Sequence, residues 1–579
     1  MQYEKVLEQI PHHLKQYIVD QHYERYTAQD HAVWRYIMRV NLDYLKDHAH
    51  SSYLDGLKKT GIGIEKIPNI DEMNEALQKI GWKAVIVDGF LPPAVFMEFQ
   101  FRKILAISAD MRTIQHLLYT PAPDIVHEAA GHAPIIADDE YSRFLQKFGE
   151  YGMKAFSSKI DIEIYEAIRH LSIIKEYPET TKEEIDLAEK DLNNKLAQNT
   201  NPSEMTLLSR LHWWTVEYGL IGDLSQQKIY GAGLLSSVGE SKNCLKPAVK
   251  KIPISINCTN YNYDITNEQP QLFVNKDWQE LLSVLEEFSN KMSFRTGGQD
   301  AIEKAIESEA VSTYQYSSGL QVSGVFSNLI KNEHGQPVYI STTGPTSLAF
   351  DNKQLENHGI TYHADGFSSP VGKLLGKKSL ENFSNQDLID AGIYEGQNIS
   401  LEFESGIKVQ GNLQSNLRKE NKLILLSFTE CTVLTRDGDT LFDPQWGVYD
   451  MAIGDSIPSV FFGTADKINH NIYPPKSENV AIPIKYSEKD KELHKLYEEI
   501  RKMRDEEQSN SERLKEISKL LDDNFSNEWL LRLEVLEILK KKKILPDLQS
   551  DINKTFALLS NESGEKRLLI ENGLQILNG

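Results

Sequence analysis

The hydrophobic pattern of this 579-residue chain changes twice along its length, and each change limits the possible folds. In the first region apolar side chains recur at helical spacing. The segments predicted as helices are 26–48, 124–131, 141–156, 161–174 and 205–219. Thr27, followed three residues later by Asp30, is a plausible capping start for the first of them. Residues 83–88 form a short apolar run before a turn and predict a strand.

From about residue 318 the pattern becomes typical of strands, and near residue 486 it becomes helical again. Short alternating or β-branched runs lie at 321–326, 337–342, 399–403, 407–411 and 423–428. They predict a small barrel or sandwich. Residues 486–545 combine helical spacing with heavy charge, which predicts a helical hairpin that packs on the rest of the chain or on another subunit. The predicted units are a mainly α region with short β elements (1–295), a β-rich domain of unknown role (296–480) and a charged helical segment that is a candidate for oligomerisation (481–579).

The composition excludes several classes of partner. A net charge of −21 argues against binding to nucleic acid or to an anionic membrane. None of the three cysteines forms a CxxC pair, so neither a disulfide framework nor a thiolate zinc site is indicated. We therefore expect the protein to occupy a reducing cytoplasm. No apolar run approaches the length that spans a bilayer, and the polar N-terminal residues do not resemble a secretory signal.

His127, His132 and Glu217 are the most informative candidates for chemistry. Two imidazoles and one carboxylate can hold a metal on one face and leave coordination positions open, a set typical of Fe(II) sites that use oxygen. The zinc-protease motif places its two histidines four residues apart, whereas here the spacing is five. Five steps of a regular α-helix turn a side chain by about 140°. We therefore expect Gly131 to end or distort the helix and to swing His132 back towards His127.

Several longer motifs carry a resemblance to one family. Residues 119–134 read YTPAPDIVHEAAGHAP, residues 213–219 read WWTVEYG, and residues 230–240 read YGAGLLSSVGE. In order and approximate spacing they resemble the iron-binding signature, the third-ligand helix and the following segment of the pterin-dependent aromatic amino acid hydroxylases. Residues 26–35 and 263–274 are similar to the start and the closing strand region of the bacterial phenylalanine 4-hydroxylase core. The resemblance covers roughly residues 20–290 and implies an aromatic amino acid hydroxylase-like catalytic domain.

The resemblance implies a role for each matching residue. His127, His132 and Glu217 would bind Fe(II), and Glu128 would lie near both the iron and the pterin. Ser236 would hydrogen-bond an iron-ligating histidine. The tetrahydropterin, tetrahydrobiopterin or a bacterial equivalent, would stack on Phe96 and contact the loop that contains Leu91.

The resemblance also implies a site for the amino acid. Arg112 would bind the substrate carboxylate through its guanidinium, with Asp124 orienting it. The remaining substrate-binding candidates are Thr120, Pro123, Trp213, Gly233 and Ser236. For Trp213, a place in the core is the alternative, and for Arg112 and Asp124 the alternative is a surface ion pair.

Four residues depart from the family pattern. Ala129 and Ala130 replace bulky side chains within the iron signature, His212 stands where animal enzymes carry a tyrosine, and Ala106 replaces a histidine near the pterin. These changes keep the ligand set and put substrate preference and pterin geometry in doubt.

The resemblance implies an iron- and pterin-dependent monooxygenase that uses O2 to hydroxylate an aromatic amino acid, most simply phenylalanine to tyrosine, as in phenylalanine catabolism. Tryptophan hydroxylation is the alternative within the family. Two alternatives lie outside it: a zinc hydrolase that uses His127, Glu128 and His132, and a noncatalytic scaffold whose C-terminal domains bind partners. The expected partners are the small-molecule substrate and O2, without nucleic acid or membrane, in a homo-oligomer formed through the C-terminal helices.

Overall fold

The N-terminal half of the chain is mainly helical, with two small sheets. A computed structural model of the protein describes residues 2–87, 89, 91–118, 124–176, 180–263, 267–471, 486–507 and 510–578. The helices here are α1 (Gln2–Glu8), α2 (His12–Lys15), α3 (Ala28–His48), α4 (Ser52–Lys59), α5 (Ile70–Leu77), α6 (Pro93–Phe101), α7 (Ala133–Ile135), α8 (Asp139–Gly152), α9 (Lys159–Glu176), α10 (Lys182–Gln198), α11 (Glu204–His212), α12 (Ala232–Leu235), α13 (Glu240–Asn243), α14 (Trp278–Ser289), α15 (Ser293–Thr296) and α16 (Gly298–Glu307). Two π-helices, His127–His132 and Trp213–Glu217, interrupt this series.

The two small sheets position the segments that carry the candidate site. The strands are β1 (Lys83–Val87), β2 (Ile104–Ser108), β3 (Leu220–Asp223), β4 (Gln226–Ile229), β5 (Lys250–Pro253) and β6 (Gln271–Asn275). β1 and β2 pair in parallel, and the other four lie in the order β4-β3-β6-β5. The β1–α6–β2 crossover holds α6 against the site, and β3 begins three residues after Glu217.

The long helix α3 is the centre of the hydrophobic core. It begins at a capping box in which Thr27 and Asp30 exchange hydrogen bonds, as the sequence predicts, and it ends at His48. Eleven of its residues are buried, among them Trp34 and Ile37. A helix buried on so much of its surface must be covered on several sides. The covering elements come from both ends of the chain.

The middle of the chain forms two antiparallel sheets. Their strands are β7 (Val311–Gln315), β8 (Leu320–Lys331), β9 (Pro337–Phe350), β10 (Lys353–Gln354), β11 (Ser368–Pro370), β12 (Asn398–Glu402), β13 (Lys408–Lys419), β14 (Lys422–Leu434), β15 (Thr440–Phe442), β16 (Tyr449–Ala452) and β17 (Ser459–Phe462), with α17 (Asn385–Asp390) between β11 and β12. The first sheet has the order β10-β9-β8-β7-β17 with β11 paired to β9, and the second β12-β13-β14-β15 with β16 paired to β14. The sheets share apolar contacts: Ile424 of β14 packs with Leu348 of β9. The five predicted runs all lie in strands.

The C-terminal region is larger than the predicted hairpin. It consists of five helices: α18 (Glu488–Asp505), α19 (Ser511–Asn524), α20 (Leu530–Lys542), α21 (Pro546–Leu559) and α22 (Gly564–Asn578). The two-helix hairpin predicted for residues 486–545 was wrong, because three helices, α18, α19 and α20, lie in that segment. The helices α21 and α22 follow it, within the segment 481–579 that was predicted to be helical. The helices α21 and α22 are mostly charged and have a narrow apolar face, on which Ile552, Phe556 and Ile570 are buried.

The C-terminal helices pack against α3 of the same chain. The Tyr36 ring meets the Trp529 ring edge to face at 5.2 Å, and the Tyr36 hydroxyl donates to the Leu569 carbonyl at 2.7 Å. Arg35, buried at 4% exposure, donates to Glu534 at 2.8 Å and to both carboxylate oxygens of Glu537 at 2.6 and 2.7 Å. One continuous apolar core therefore contains α3 and the C-terminal helices. No helix within the described ranges is both long and apolar enough to cross a membrane.

Candidate functional site

The two segments that carry the candidate metal ligands are π-helices. In a π-helix each N–H bonds to the carbonyl five residues earlier, so side chains five positions apart lie on nearly the same face. The N–H of Ala133 bonds to Glu128 O, and that of Tyr218 bonds to Trp213 O. This geometry explains the five-residue spacing between His127 and His132. Of the two effects expected of Gly131, an end or a distortion of the helix, the structure shows no end, because the helix continues through Gly131 in the distorted π form.

His127, His132 and Glu217 converge on one point. The two Nε2 atoms of the histidines lie 3.2 Å apart. The Glu217 oxygens lie 3.2 Å from His127 Nε2 and 3.3 Å from His132 Nε2. The three side chains thus form a triangle around one centre, in which a different Glu217 oxygen faces each imidazole. α12 packs against both π-helices and so helps to bring these distant residues together.

The triangle has the size that a metal ion requires. Metal bonds to nitrogen and oxygen of roughly 2.1 Å separate ligand atoms by about 3.0 Å at right angles and about 3.4 Å at tetrahedral angles. The separations of 3.2 and 3.3 Å lie between these values. Three ligands grouped on one side leave the other side for exogenous ligands. The residues present therefore fit a divalent transition metal.

The tautomer of His127 follows from its contact with Ser236. The Ser236 hydroxyl donates its single proton to Ala232 O at 2.8 Å. Its oxygen lies 3.2 Å from His127 Nδ1, so it accepts the Nδ1 proton. His127 Nε2 is then unprotonated and directed at Glu217 and His132. A neutral imidazole oriented in this way is the usual form of a metal-ligating histidine.

Glycine residues allow α12 to approach both π-helices. A Cβ on Gly131 would lie 2.6 Å from Ala232 O, and one on Gly231 would lie 2.4 Å from Glu217 O. Both distances are too short for any larger residue. A Cβ added to Gly233 would also be crowded, because it would lie 3.0 Å from the Tyr218 ring and 3.1 Å from Glu217 O. These close contacts set the distance between the segments that supply the three ligands.

The two buried carboxylates of the site have opposite pKa shifts. Burial alone would raise the pKa of Glu217, but the imidazoles of His132 and His127 outweigh it and hold that pKa well below its ordinary value. Burial raises the pKa of Glu128 to about 8, although His132 opposes the shift. Glu128 Oε2 is buried and has no hydrogen-bond partner among the described residues. It lies 3.9 Å from His132 Nε2, at the side of the triangle.

Arg112 and Asp124 form a buried bidentate pair. Arg112 Nε donates to Asp124 Oδ2 at 2.7 Å and Arg112 Nη2 to Oδ1 at 2.8 Å. The guanidinium has five N–H donors, so its outer edge retains donors that Asp124 does not use. The side chains are 2% and 1% exposed, which excludes the surface-pair alternative. Burial would raise the pKa of Asp124, but Arg112 outweighs it and the pKa is lowered.

The Arg112 pair is connected to the metal triangle in two ways. Asp124 Oδ1 also accepts the backbone N–H of His127 at 3.0 Å, at the start of the first π-helix. Ser236 accepts from Arg112 Nη1 through its carbonyl, at 3.4 Å, and contacts His127 through its hydroxyl. Asp124 and Ser236 therefore hold the guanidinium and the first imidazole in one relative position.

Helix α6 presents a second wall of the site. Phe96 is half-buried, and its ring meets the His212 ring edge to face at 5.7 Å. His212 is buried with Nδ1 3.6 Å from Glu217 Oε1, and burial lowers its pKa to about 4. Gln100, one helical turn after Phe96, places its amide nitrogen 3.1 Å from His212 Nε2. Gln100 was missed by the sequence analysis, although its position four residues after Phe96 on one helix face was a usable signal.

Leu91 and Trp213 lie on different sides of the candidate site. Leu91 is half-buried, two residues before α6. The Trp213 ring stacks with Tyr263 at 4.2 Å and 13° and with Tyr218 at 4.7 Å and 24°. Both tyrosines lie in the motifs given above, but their stacking on Trp213 was not predicted. The predicted substrate-binding residues Thr120 and Pro123 lie outside the described residues.

Comparisons with known proteins agree with this geometry. Residues 2–169 and 195–298 match the family described as biopterin-dependent aromatic amino acid hydroxylase. The phenylalanine-4-hydroxylase of Chromobacterium violaceum is 26% identical over 240 residues, which are 41% of this chain and 66% of that protein. That of Pseudomonas aeruginosa is 28% identical over 272 residues, 46% of this chain and 86% of that protein. The chain thus spans slightly less than two thirds of the first relative and has about 300 further residues of its own.

Solved structures give similar matches. The crystal structure of the C. violaceum phenylalanine hydroxylase with bound iron(III) and oxidised cofactor 7,8-dihydrobiopterin is 24% identical, covers 48% of this chain and 85% of that one, and has a TM-score of 0.37. A single-residue variant of the same protein is 25% identical, covers 47% and 83% of the two chains, and has the same TM-score. Residues 2–169 and 195–298 of this chain are therefore similar to the biopterin-dependent aromatic amino acid hydroxylases.

Proposed function

We propose that this protein is a phenylalanine 4-monooxygenase that converts L-phenylalanine to L-tyrosine with Fe(II), O2 and a tetrahydropterin. The observation that carries the proposal is the triangle of His127, His132 and Glu217, whose edges of 3.2 and 3.3 Å suit one metal ion. The relatives named as phenylalanine-4-hydroxylases support the choice of substrate. Tetrahydrobiopterin and a bacterial tetrahydropterin are both consistent with these residues.

In this proposal His127, His132 and Glu217 hold the iron. When bound, ferrous iron and the reduced pterin supply the electrons that activate O2 for attack on an aromatic ring. The tautomer set by Ser236 keeps the His127 Nε2 lone pair available for the metal. The low pKa of Glu217 keeps this carboxylate charged at neutral pH. The chain therefore contributes two neutral ligands and one anion, which leave a net positive centre.

Arg112 would bind the carboxylate of the amino acid through the edge of its guanidinium that faces away from Asp124. Since Asp124 and Ser236 tie this guanidinium to His127, the substrate backbone is held at a constant distance from the metal. Because the substrate is already held in place, the bound reaction avoids the loss of translational and rotational freedom that the same reaction in solution would require. Trp213, Gly233 and the segment with Thr120 and Pro123 would line the space for the ring.

Phe96 and Leu91 would contact the pterin, with Glu128 at its edge next to the metal. Glu128 Oε2 has no hydrogen-bond partner among the described residues, and a flat heterocycle rich in N–H donors would supply one. With a pKa of about 8 in the ligand-free protein, Glu128 can hold or release a proton near neutral pH. The role proposed for it is to anchor the pterin and to hold a proton at Oε2.

The alternatives have less support. A zinc hydrolase would use Glu128 as its general base in a four-residue helical motif, whereas here the ligands come from π-helices of a hydroxylase family. A tryptophan hydroxylase would share every residue discussed above, so only the products distinguish it. A cytoplasmic location remains a prediction that rests on the three unpaired, buried cysteines of the described chain.

A homo-oligomer through the C-terminal helices is a separate proposal. The inner faces of these helices already cover α3, so contact between copies would use outer faces, where Leu558 is 71% exposed and Leu568 is 39% exposed. Sedimentation of the full chain and of a variant with both leucines changed to glutamine tests this. A wild-type chain that sediments as a monomer would exclude the oligomer.

The test of the proposed function is a competition assay on the full-length chain. Phenylalanine, tyrosine and tryptophan are offered together with Fe(II), O2 and tetrahydrobiopterin, and the products are separated by chromatography. We expect tyrosine as the main product and one pterin oxidised per turnover. Hydroxytryptophan as the main product would show that tryptophan is the preferred substrate. The absence of any pterin-dependent product would refute the proposed activity.

Two variants show whether the product depends on the proposed ligands. Glu217→Ala should lose iron and at least about 100-fold of the activity, because removing an inner ligand costs more than the 10–100-fold typical of outer residues. Glu287→Ala, on the exposed face of α14, is the matched control and should behave like wild type. Normal turnover by Glu217→Ala would contradict the ligand assignment.

A further inference from the structure

His358, His363 and Asp450, here called the β-region triad, form a second cluster of metal-ligating side chains, outside the family match. His358 Nδ1 and His363 Nε2 lie 3.2 Å apart. Asp450 Oδ2 lies 3.9 Å from each of these nitrogens. Like the first site, the triad consists of two imidazoles and one carboxylate. It belongs to the β-rich middle of the chain, to which the proposed hydroxylase chemistry assigns no role.

The distances in the triad suit an ion better than a network of hydrogen bonds. A carboxylate that accepts an imidazole proton lies about 2.7–2.9 Å from the nitrogen. Asp450 Oδ2 is too far from both nitrogens for that bond, and it is equally far from each. The point equidistant from all three atoms lies about 2.1 Å from each of them, which is the length of a zinc–nitrogen or zinc–oxygen bond. The three side chains are thus arranged around a common centre.

The state of Asp450 also indicates a missing cation. Its side chain is 2% exposed, and Oδ2 has no hydrogen-bond partner among the described residues. Its other oxygen, Oδ1, accepts a hydrogen bond from Ser427 at 2.5 Å, which fixes the direction of Oδ2. Burying a carboxylate oxygen without a partner is costly unless a positive charge neutralises it.

The backbone holds the two histidines rigidly at the edge of the first sheet. The His358 carbonyl accepts from Leu348 N at 2.9 Å, and the His363 carbonyl accepts from Thr346 N at 3.0 Å, so both are tied to β9. Asp450 lies on β16 of the second sheet, opposite Ser427 of β14. The triad therefore spans the junction between the two sheets. An ion bound there would connect the loop between β10 and β11 to the other sheet.

We propose that the β-region triad binds a divalent zinc-type ion that fastens the loop of residues 355–367 to β16. Two imidazoles favour Zn²⁺ and similar transition metals over Mg²⁺ and Ca²⁺, which prefer oxygen ligands. The absence of a thiolate within the triad disfavours softer ions such as Cu(I). Tyr362, which is 51% exposed, packs edge to face on the rings of His358 and His363, so the triad lies close to the protein surface. The ion acts on the structure of the β region and is separate from the proposed iron site.

The experiment must separate this ion from metal at the first site. In the full-length chain, His132→Ala combined with Glu217→Ala removes two of the three ligands there. After treatment with a chelator, this double variant is titrated with Zn²⁺ by calorimetry and with Co²⁺ by visible absorption. We expect one equivalent of Zn²⁺ per chain and the intense d–d bands of low-coordinate Co²⁺. Failure to bind any Zn²⁺ would overturn the proposal.

Further variants assign that equivalent to the triad. Adding Asp450→Asn or His363→Gln to the double variant should weaken Zn²⁺ binding by at least ~100-fold, since each removes a direct ligand. Adding His334→Gln, an exposed histidine of the same region, should change nothing. Zn²⁺ binding that survives both triad substitutions would contradict the assignment.

The unsubstituted chain offers a check that does not depend on the folding of any variant. It should bind two equivalents of Co²⁺, and Zn²⁺ should raise its thermal unfolding midpoint, because a ligand that binds only the folded state stabilises it. A single equivalent of Co²⁺ in the unsubstituted chain would show that the triad is only a buried hydrogen-bonded pair of histidines next to a carboxylate.

Discussion

Lys467 Nζ lies 3.0 Å from Glu98 Oε2 in the interior of the protein and connects the β-rich region to helix α6. The Glu98 side chain is fully buried, and it also contacts His13 at 2.9 Å and Arg102 at 2.7 Å. Phe96, the proposed pterin platform, lies two residues earlier on the same helix. The middle of the chain therefore helps to position one wall of the candidate site.

Substitutions at this contact should differ in severity. Glu98→Gln removes the negative charge that Lys467, His13 and Arg102 share, so we expect a loss of about 3–5 kcal/mol in the free energy of unfolding. Lys467→Met should cost less, because Glu98 keeps His13 and Arg102 as partners. Urea unfolding followed by tryptophan fluorescence measures both. Equal losses would mean that the two residues are not coupled in this way.

Glu98 should also make the stability of the protein depend on acid. Burial would raise its pKa, but His13, Lys467 and Arg102 outweigh that effect and hold the pKa below its ordinary value. A carboxylate with a depressed pKa in the folded state contributes stability above the pKa of the unfolded state, roughly 4.3. That contribution is lost as the pH falls below this value. The unfolding midpoint of Glu98→Gln should therefore fall less than that of wild type between pH 6 and pH 4.

Arg112→Ala should raise the KM for the amino acid by roughly 100-fold or more and change the KM for the pterin little. The expected loss corresponds to a charge-assisted bidentate bond of about 3 kcal/mol. Since Asp124 would be left buried without its partner, the variant's stability must be measured alongside its kinetics. Arg112→Lys, which keeps the charge, should recover part of the loss. Equal effects on both KM values would argue against binding of the substrate carboxylate.

Ser236→Ala should weaken iron binding by about 10–100-fold, because His127 loses the acceptor that sets its tautomer. The Ser236 carbonyl that contacts Arg112 remains, so the KM for the amino acid measured at saturating iron should change little. Ser237→Ala, the neighbouring position, is the control. Iron content after dialysis and the dependence of rate on Fe(II) concentration are the measurements. Unchanged iron affinity would remove Ser236 from the metal site.

Arg35→Met should destabilise the chain by about 1.5–3 kcal/mol, since it removes charge-assisted hydrogen bonds to Glu534 and Glu537, which keep Arg504 and Arg39 as partners. Lys46→Met, on the exposed face of the same helix, should have little effect. In the Arg35→Met variant, limited proteolysis should cut the C-terminal helices first. Unfolding of both variants at the same urea concentration would contradict this role.

The three candidate metal ligands could be named from the sequence, but their geometry could not be predicted. The set His127, His132 and Glu217 is visible as residue types, and the family motif supports it. The rotation of about 100° per residue applies only to an α-helix, so it gave the wrong directions for a π-helix. We attribute the wider turn of the π-helix to the packing of α12 against Gly131. Contacts between segments distant in the chain leave no recognisable pattern in the local sequence.

The β-rich region illustrates the same limit. Alternation identified its strands, because each strand carries its own pattern. The β-region triad joins a loop to a strand more than 80 residues later, and no spacing rule covers such a distance. The last two helices were not delimited individually because their apolar faces are narrow: only Ile552, Phe556 and Leu559 are buried along α21.

The shared core around α3 determines how this enzyme can be divided. Cutting the chain near residue 300, where the family match ends, would expose Tyr36 and leave the Arg35 guanidinium without Glu534 and Glu537. Such a fragment should aggregate even though it contains every proposed ligand of the iron. The homology boundary of this protein therefore differs from the boundary of its apolar core, which extends into residues that the family match does not include.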